Sequence, residues 1–515
     1  MNIKFNSYTT ANNEELLYTG SPAISMLNEL AQGTGDLWHS SLDQGYKNCF
    51  PELIYQTAVY WWFLNDIEGQ DTSVNWRVNG NAFVVRKKAW EETLGFDTQF
   101  ETLTMAALDF GFNLLRNYKG IPLYVKGLYS NEAEKEIKIE RKERYRFFLK
   151  NFKSHHAFYM VLRKGLLKFP AEFITYKSLK KKIVKREQSI NISIKELKPI
   201  SGNPTVSLVI PTMKRQKFTQ ILLEDHEEQT YKIKEAIIVD ATPEEERDDQ
   251  YYKNEDFSFE VKVKWQITKG SCRARNEAVD LCSGDYIIFA DDDIRIQPTF
   301  VENHIRLLQT YGAGACNGLD VMAENIHQDL DDLNNRLKSM DHERWRVGIS
   351  ASFSNANSCV KKEIAQELIG NDINFDGGYG EDSDYGLRIL KKGYLLLHNP
   401  FSPNLHLKPP QGGYRWWGKE SKKKGKQRKK QPWELDRPVK YIRPIPSPTI
   451  SYGILKHFPY SQLKEWRFKY FFTYVFKGDK KSFAKRILTL PLRLLQFSKS
   501  LSYAKSLIKL GPRYK

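Results

Sequence analysis

No run in the 515 residues approaches the ~18 consecutive apolar residues that a membrane-spanning helix needs. Cysteine is sparse and scattered: Cys49, Cys272, Cys282, Cys316 and Cys359 include no C-x-x-C pair. That spacing offers neither a zinc site nor a disulfide framework, and it fits a reducing compartment. The opening residues, Met1-Asn2-Ile3-Lys4-Phe5-Asn6, have no apolar h-region, so no secretory leader is expected. Acidic residues are in deficit, 62 against 79 Lys and Arg, leaving a net charge of +17. Such an excess calls for an anionic partner: nucleic acid, an acidic membrane face or a phosphorylated substrate. No nucleic-acid-binding motif accompanies the charge, which argues against the first. What the chain does have is core-forming material, 41% hydrophobic and 13% aromatic residues. Its length predicts two or more domains.

The most informative stretch is Ser283-Gly284-Asp285-Tyr286-Ile287-Ile288-Phe289-Ala290-Asp291-Asp292-Asp293. Residues 286–290 are apolar and predict one buried strand, which ends in three carboxylates. Adjacent like charges raise one another's proton affinity, and a divalent cation removes that cost. Hard cations such as Mg²⁺ and Mn²⁺ favour carboxylate oxygens. In an extended chain Asp291 and Asp293 share one side and Asp292 takes the other. Two readings stand on the triplet alone: a metal clamp for a diphosphate, or an acidic turn after a strand.

The surroundings alternate strand and helix. Strands are predicted over 206–210, 236–239 and 261–266, with helices over 218–229 and 272–282 between and after them. The alternation implies a parallel α/β sheet. Beyond the triplet follow a helix to 310, strands near 314–321 and 357–360, and a helix to 368. A Gly-rich acidic segment, Gly380-Glu381-Asp382-Ser383-Asp384, opens a further helix, and a strand is predicted at 394–397.

Residues 205–410 resemble the family 2 GT-A glycosyltransferases, which are inverting and use nucleotide sugars. The matching pieces are 206–212, 236–240, Lys269-Gly270-Ser271-Cys272-Arg273-Ala274-Arg275-Asn276, 289–293 and Gly380-Glu381-Asp382, in that order. Ala241-Thr242 departs from the usual turn after Asp240. The resemblance implies a GT-A nucleotide-sugar-binding fold, Rossmann-like with a mostly parallel sheet. It implies that Pro211, Thr212 and Asp240 line the base and ribose pocket and that Arg275 and Asn276 sit near the diphosphate. Asp291 and Asp293 would be the DxD pair on the donor and a Mn²⁺ or Mg²⁺ ion, with Asp292 between them. Asp382 would be the general base, with Glu381 beside it. His406 is either a further metal ligand or structural. Gln411-Gly412-Gly413-Tyr414-Arg415-Trp416-Trp417 lies near the Q-x-x-R-W pattern of processive synthases, one residue too long. It reads either as an acceptor-side loop, through Gly412, Gly413, Tyr414, Arg415 and Trp416, or as an exposed loop with buried Trp anchors.

An internal repeat precedes this region. Val85-Arg86-Lys87, Gly95, Phe100 and Asp109-Phe110-Gly111 recur, all at one constant offset, as Val360-Lys361-Lys362, Gly370, Phe375 and Asp384-Tyr385-Gly386. The same offset sets Ala106 and Ala107 opposite Glu381 and Asp382. The expected organisation is therefore a partial GT-A-like module without catalytic groups (1–130), a basic helical connector (131–203), a catalytic domain (204–410), a basic mobile loop (411–450) and a basic amphipathic helical tail (451–515). In the tail, Leu490, Leu494, Phe497, Leu501, Ala504 and Ile508 recur at helical spacing and predict a stripe that lies on an anionic membrane surface or packs on the catalytic domain. Pro491 is expected in the first turn of that helix. The resulting expectation is a peripheral glycosyltransferase at the cytoplasmic face of the membrane. It would transfer a sugar, UDP-linked, to a surface glycan or lipid-linked oligosaccharide. The alternative is a non-catalytic carbohydrate-binding or scaffold protein of a polysaccharide assembly complex.

Overall fold

A computed structural model describes residues 3–58, 65–130, 137–184, 195–340, 346–414, 430–476 and 482–515. The aromatic segment 60–64, the loop residues Arg415 and Trp416, and positions 422–429 of the basic run lie outside the described residues. The described residues form two compact units. One comprises 1–195, 390–395 and 460–469; the other comprises 196–389, 396–459 and 470–515.

The first unit contains strands β1 (Asn6–Thr9), β2 (Glu15–Tyr18), β3 (Leu37–His39), β4 (Thr72–Val74), β5 (Phe83–Arg86) and β6 (Pro122–Val125). They form one sheet in the order β1-β2-β5-β3-β6-β4. The second unit contains β7 (Val206–Thr212), β8 (Glu235–Asp240), β9 (Glu260–Trp265), β10 (Tyr286–Ala290), β11 (Ile294–Ile296), β12 (Ala315–Met322), β13 (Asn357–Lys361) and β14 (Leu396–His406). Their sheet runs β11-β14-β12-β13-β10-β7-β8-β9. β7, β8, β9 and β10 are mutually parallel. Every residue of β7, β8 and β10 is buried, as strands covered on both faces require. β7 and β8 end in register, Thr212 beside Asp240. β10 stops at Ala290, so the acidic triplet emerges at the carboxyl edge of the parallel strands, where open α/β sheets bind ligands.

β14 is longer than the strand read from the sequence, which stopped at 397. Its Pro400 and Pro403 mask the pattern, because proline interrupts ladder hydrogen bonds. The pairing with β12 is broken just there: Gly318 faces Asn399, and the next pair is Asp320 with Asn404. Asn357 Nδ2 donates to Ser402 O at 2.9 Å and stabilises the irregular stretch. The strand then resumes and delivers His406 beside β11.

The internal repeat has structural counterparts. β3 runs antiparallel to β5 and parallel to β6, as β12 does to β13 and β14. β2 flanks β5 antiparallel, as β10 flanks β13. Val74 pairs antiparallel with β6, and Ile349 makes an antiparallel bridge to β14. Leu94 and Gly95 have φ of 57° and 60°, and Ile369 and Gly370 have 60° and 89°. A Cβ on Gly111 would lie 2.1 Å from the Trp76 carbonyl oxygen, and one on Gly386 would lie 2.7 Å from that of Ala351. Both helices therefore approach the main chain so closely that only glycine fits. The first unit has no parallel strands corresponding to β7, β8 and β9 among the described residues.

The described part of the segment 131–203, read as a basic helical connector, also contributes to the first unit's core. Its helix Arg141–Asn151 buries Tyr145, Phe147 and Phe148. Phe147 and Phe148 meet Phe50 at ring distances of 4.9 and 5.6 Å. The basic 411–450 region is likewise partly core, since Trp433 is buried against Tyr503.

The C-terminal helix Phe483–Leu510 runs through Pro491, so Pro491 is interior and not in the first turn. The stripe read from the sequence is divided. Phe497 and Ala504 are buried, whereas Leu494 and Ile508 are exposed. The buried face is Phe497, Ser500, Tyr503, Ala504 and Leu507, and much of it packs with Tyr452, Phe375 and Trp433. Past the helix, Arg513 O accepts from Ile373 N, and Arg513 Nε donates to Asn374 Oδ1 at 2.7 Å.

One buried carboxylate joins the helix Pro448–His457 to the helix Glu381–Lys391. Asp384 meets Arg388 at 2.9 Å, Lys456 at 2.7 Å and His457 at 2.7 Å. Lys456 also reaches Asp372 at 2.8 Å. Burial raises the Asp384 carboxyl, but the hydrogen bond from His457 and the charges of Arg388 and Lys456 outweigh it and hold the group well below the usual range. Its contribution is present above the unfolded carboxylate pKa and is lost as pH falls towards the depressed folded value. Asp384→Asn leaves the cations uncompensated and should cost about 3–5 kcal/mol. Urea unfolding at neutral pH measures this, and a loss below about 1 kcal/mol would refute the role given to the network.

Candidate active site

A cavity of about 620 Å³ opens at the carboxyl edge of the second unit's sheet. Pro211 from β7, the triplet Asp291, Asp292 and Asp293, Asp320 from β12 and His406 from β14 line one side. Arg275, Asn355 and Asp382 line it as well, together with Lys408, Gly412, Gly413 and Tyr414.

The triplet does not behave as a loose acidic turn. Each carboxylate meets a cation from another element. Arg275 Nη2 donates to Asp291 Oδ1 at 2.7 Å. Arg215 Nη1 donates to Asp292 Oδ1 at 3.0 Å and Asp293 Oδ2 at 2.8 Å. His406 Nε2 lies 3.1 Å from Asp293 Oδ1, and its Nδ1 lies 3.2 Å from Asp320 Oδ1. Burial pushes the Asp292 carboxyl up to about 7, against the pull of Arg215. Burial disfavours charging His406, but its hydrogen bonds to Asp293 and Asp320 and the charge of Asp293 outweigh that and raise it to about 10. A metal ion on this ring's nitrogen would have to displace the proton that the carboxylates favour.

Asp291, Asp293 and His406 each offer a ligand atom, and these atoms lie within 4.8 Å of one another. Two carboxylates and an imidazole form a donor set that a divalent cation accepts. Asp320 supplies the outer carboxylate that commonly orients a ligating histidine. Arg275 Nε is buried without a hydrogen-bond partner among the described residues, as is Asn355 Oδ1. Both residues face a cavity roomy enough for a polar ligand.

Asp382 begins the helix Glu381–Lys391. Its Oδ1 accepts from Asn355 Nδ2 at 2.6 Å and Asn355 N at 3.2 Å, which aims the carboxylate into the cavity. In the first unit the matching positions, at the offset of the internal repeat, are Gly80 and Ala107. A Cβ on Gly80 would sit 3.2 Å from the Ala107 Cβ and 2.7 Å from Leu103 Cγ. Both polar partners are absent there, and apolar atoms close the space.

Four residues expected in the site take other positions. Thr212 Oγ1 donates to Asp292 Oδ2 at 2.7 Å from behind the triplet. Asp240 is buried and accepts from Thr242 N and Oγ1 at 2.7 and 2.5 Å. Asn276 Nδ2 donates to the carbonyls of Asn371 and Tyr514, both at 2.8 Å, and so ties the helix to the chain's end. Glu381 is buried and is not part of the cavity wall.

Arg215, Asp320 and Asn355 were not singled out from the sequence. Arg215 follows β7 in Met213-Lys214-Arg215, an ordinary basic turn. Its Nε and Nη2 also donate to Gln411 O at 3.0 Å and Pro409 O at 3.3 Å. Gly412, with φ of 76°, passes so close that a Cβ would meet the Arg215 side chain at 2.6 Å. Tyr414 OH donates to Gln266 Oε1 at 3.0 Å, laying the loop across the end of β9. Asn355 could have been found from the repeat, since its counterpart is a glycine.

Arg215 thus neutralises Asp293, a carboxylate that a divalent ion would also draw on. Arg215→Gln removes a charge-assisted contact of about 1.5–3 kcal/mol and should tighten Mn²⁺ binding roughly tenfold. Asp293→Asn should abolish it. Electron paramagnetic resonance titration with Mn²⁺ reads both, and unchanged affinity in Arg215→Gln would exclude competition by the guanidinium.

Comparison with known proteins matches residues 207–368 to the family model described as glycosyl transferase family 2. No curated protein matches the chain. Similar solved structures include S. aureus TarS 1–349 in complex with UDP-GlcNAc, at 12% identity over 60% of this chain and 93% of that one, with a TM-score of 0.37. The mannosyltransferase PcManGT from Pyrobaculum calidifontis, with GDP-Man and Mn²⁺, has 17% identity over 61% of this chain and 90% of that one, with a TM-score of 0.35. GalNAc-T7 with UDP, GalNAc and Mn²⁺ has 14% identity over 45% of this chain and 48% of that one, with a TM-score of 0.32. Over residues 207–368, within the mixed α/β unit that bears the cavity, the chain is therefore similar to the family model described as glycosyl transferase family 2.

Proposed function

We propose that the protein transfers a sugar from a UDP-linked donor to a hydroxyl of a surface glycan or lipid-linked oligosaccharide, with inversion at the sugar. The observation that carries this reading is that one cavity brings together the acidic triplet and Asp382. Asp291, Asp293 and His406 would hold Mn²⁺, which suits a mixed carboxylate–imidazole set better than the oxygen-seeking Mg²⁺. When bound, the ion would neutralise charge on the leaving diphosphate as a Lewis acid.

The chain's own residues supply the rest. Asp382 takes the proton of the acceptor hydroxyl as its oxygen bonds to the sugar's anomeric carbon. The bond from that carbon to the diphosphate breaks, and the nucleoside diphosphate leaves with the electron pair. One displacement on one face inverts the centre and needs no covalent intermediate. Asn355 fixes the carboxylate for attack, and Arg275 offers its guanidinium to the diphosphate. Gly412, Gly413 and Tyr414 form the wall towards the acceptor. With alanine at 107, the first unit has no base and serves to bind glycan or brace the catalytic unit. A lipid-linked acceptor would place the work at the cytoplasmic face of the membrane, with the protein bound peripherally.

The test is a panel of nucleotide sugars assayed for turnover with and without Mn²⁺. UDP release should require the ion. Asp382→Asn should lower transfer about 10²-fold or more and leave UDP affinity, read by calorimetry, nearly intact. Asn355→Ala should lower kcat in the same assay with little change in KM for the donor. Retention of most activity in Asp382→Asn would overturn the assignment of the base. It would also reopen a catalytic role for the first unit.

A further inference from the structure

The start of the C-terminal helix exposes large apolar side chains that no described residue covers. Leu488 is 80% exposed, Leu492 50% and Leu495 54%. With Lys485 and Lys499 they recur at spacings of three, four, three and four, which at about 100° per residue forms one stripe. This stripe lies opposite the buried face through Phe497 and Ala504. It is a different face from the one the sequence pattern singled out. The preceding helix packs on the other side of this helix and leaves the stripe bare: Phe476 meets Phe483 at 5.7 Å and Phe472 at 4.8 Å. Tyr474 OH lies 2.7 Å from Thr489 Oγ1 and holds the two helices together. Arg493 stacks on Tyr474 at 4.8 Å.

We propose that this exposed helix face docks on an anionic lipid bilayer. A soluble surface rarely leaves so many large apolar groups contiguous and uncovered. The charges around them select the occupant. The helix Phe483–Leu510 carries Lys485, Arg486, Arg493, Lys499, Lys505 and Lys509 and no acidic residue. Lysine and arginine stems can lie along the apolar face while their charges reach headgroups. An apolar face sunk about 5–10 Å into the interface, ringed by basic groups, is how a helix lies on a membrane. No described helix is long and apolar enough to cross one, so the contact is in the plane of the surface. Docking here would hold the cavity-bearing unit at the leaflet where a lipid-linked acceptor resides. The inference rests on the proposed function only for that purpose, not for the contact itself.

The experiment is flotation of the full chain with vesicles of phosphatidylcholine alone and of phosphatidylcholine mixed with phosphatidylglycerol. The protein should float with the mixed vesicles, poorly with the neutral ones, and less at high salt. Leu488→Glu with Leu492→Glu should reduce the bound fraction about tenfold or more. Lys485→Glu with Lys499→Glu should weaken binding to the mixed vesicles alone. Thermal unfolding of each variant reports folding. Failure of the wild-type chain to float, or equal flotation of both variants, overturns the inference. Self-association of the wild-type chain that the Leu variant abolishes, without flotation, also overturns it in favour of a second copy as occupant. Nucleotide-sugar turnover without vesicles is measured on the same proteins. Loss of flotation with turnover intact indicts the docking surface, and absence of turnover from all of them indicts the proposed chemistry.

Discussion

Three consecutive carboxylates at the end of a buried strand set the main constraint on this protein. Asp292 and Asp293 are nearly inaccessible to solvent, and ionised groups there repel one another strongly unless cations answer them. The chain recruits those cations from distant places: Arg215 after β7, Arg275 from the helix Ser271–Val279, and His406 from the end of β14. The site exists because the sheet order brings these three elements to one edge. The same repulsion would favour a divalent ion in the proposed site at Asp291, Asp293 and His406.

The rest of the second unit steadies Asp382, the proposed base, across the cavity from this cluster. Asp382 and Asp384 share one helix, yet their environments differ. Asp382 faces the cavity with Asn355 as its partner. Asp384 is sunk among Arg388, Lys456 and His457. Lys456 and His457 belong to the C-terminal helices, so the tail fixes the catalytic-side helix from behind. The chain's last residues continue that bracing through Tyr514 and Arg513, which meet Asn276 and Asn374. One end of the tail is therefore part of the catalytic unit, while the other leaves an apolar face uncovered.

The first unit repeats part of the strand pairing of the second. Strand pairings, a left-handed turn and a tight glycine contact recur in both units at matching positions. Where the second unit has the hydrogen bond between Asn355 and Asp382, the first has Gly80 and Ala107, with no room at Gly80 for a side chain.

Local features were legible in the sequence where local physics decides them. The apolar run into Asp291, the strands of the parallel sheet and the helix opening at Glu381 follow from hydrophobic period and charge placement. The alanines opposite Glu381 and Asp382 follow from counting. The partners were not legible. Arg215 and Asp320 look like ordinary surface residues until β7 and β12 are placed beside β10 and β14. Asn276 matches a motif, yet its amide is committed to Asn371 and Tyr514. β14 was cut short in the reading because its prolines sit in an irregular stretch that only pairing on both sides sustains. The tail stripe shows the limit most clearly. A helix apolar around much of its girth has no single face in sequence, and burial of Phe497 and Ala504 against the catalytic unit determines which leucines remain outside. Sequence alone determined where charge and apolar runs lie along the chain, because those are properties of neighbours. Tertiary structure decided which charges meet and which apolar face stays bare, because those depend on residues far apart in the chain.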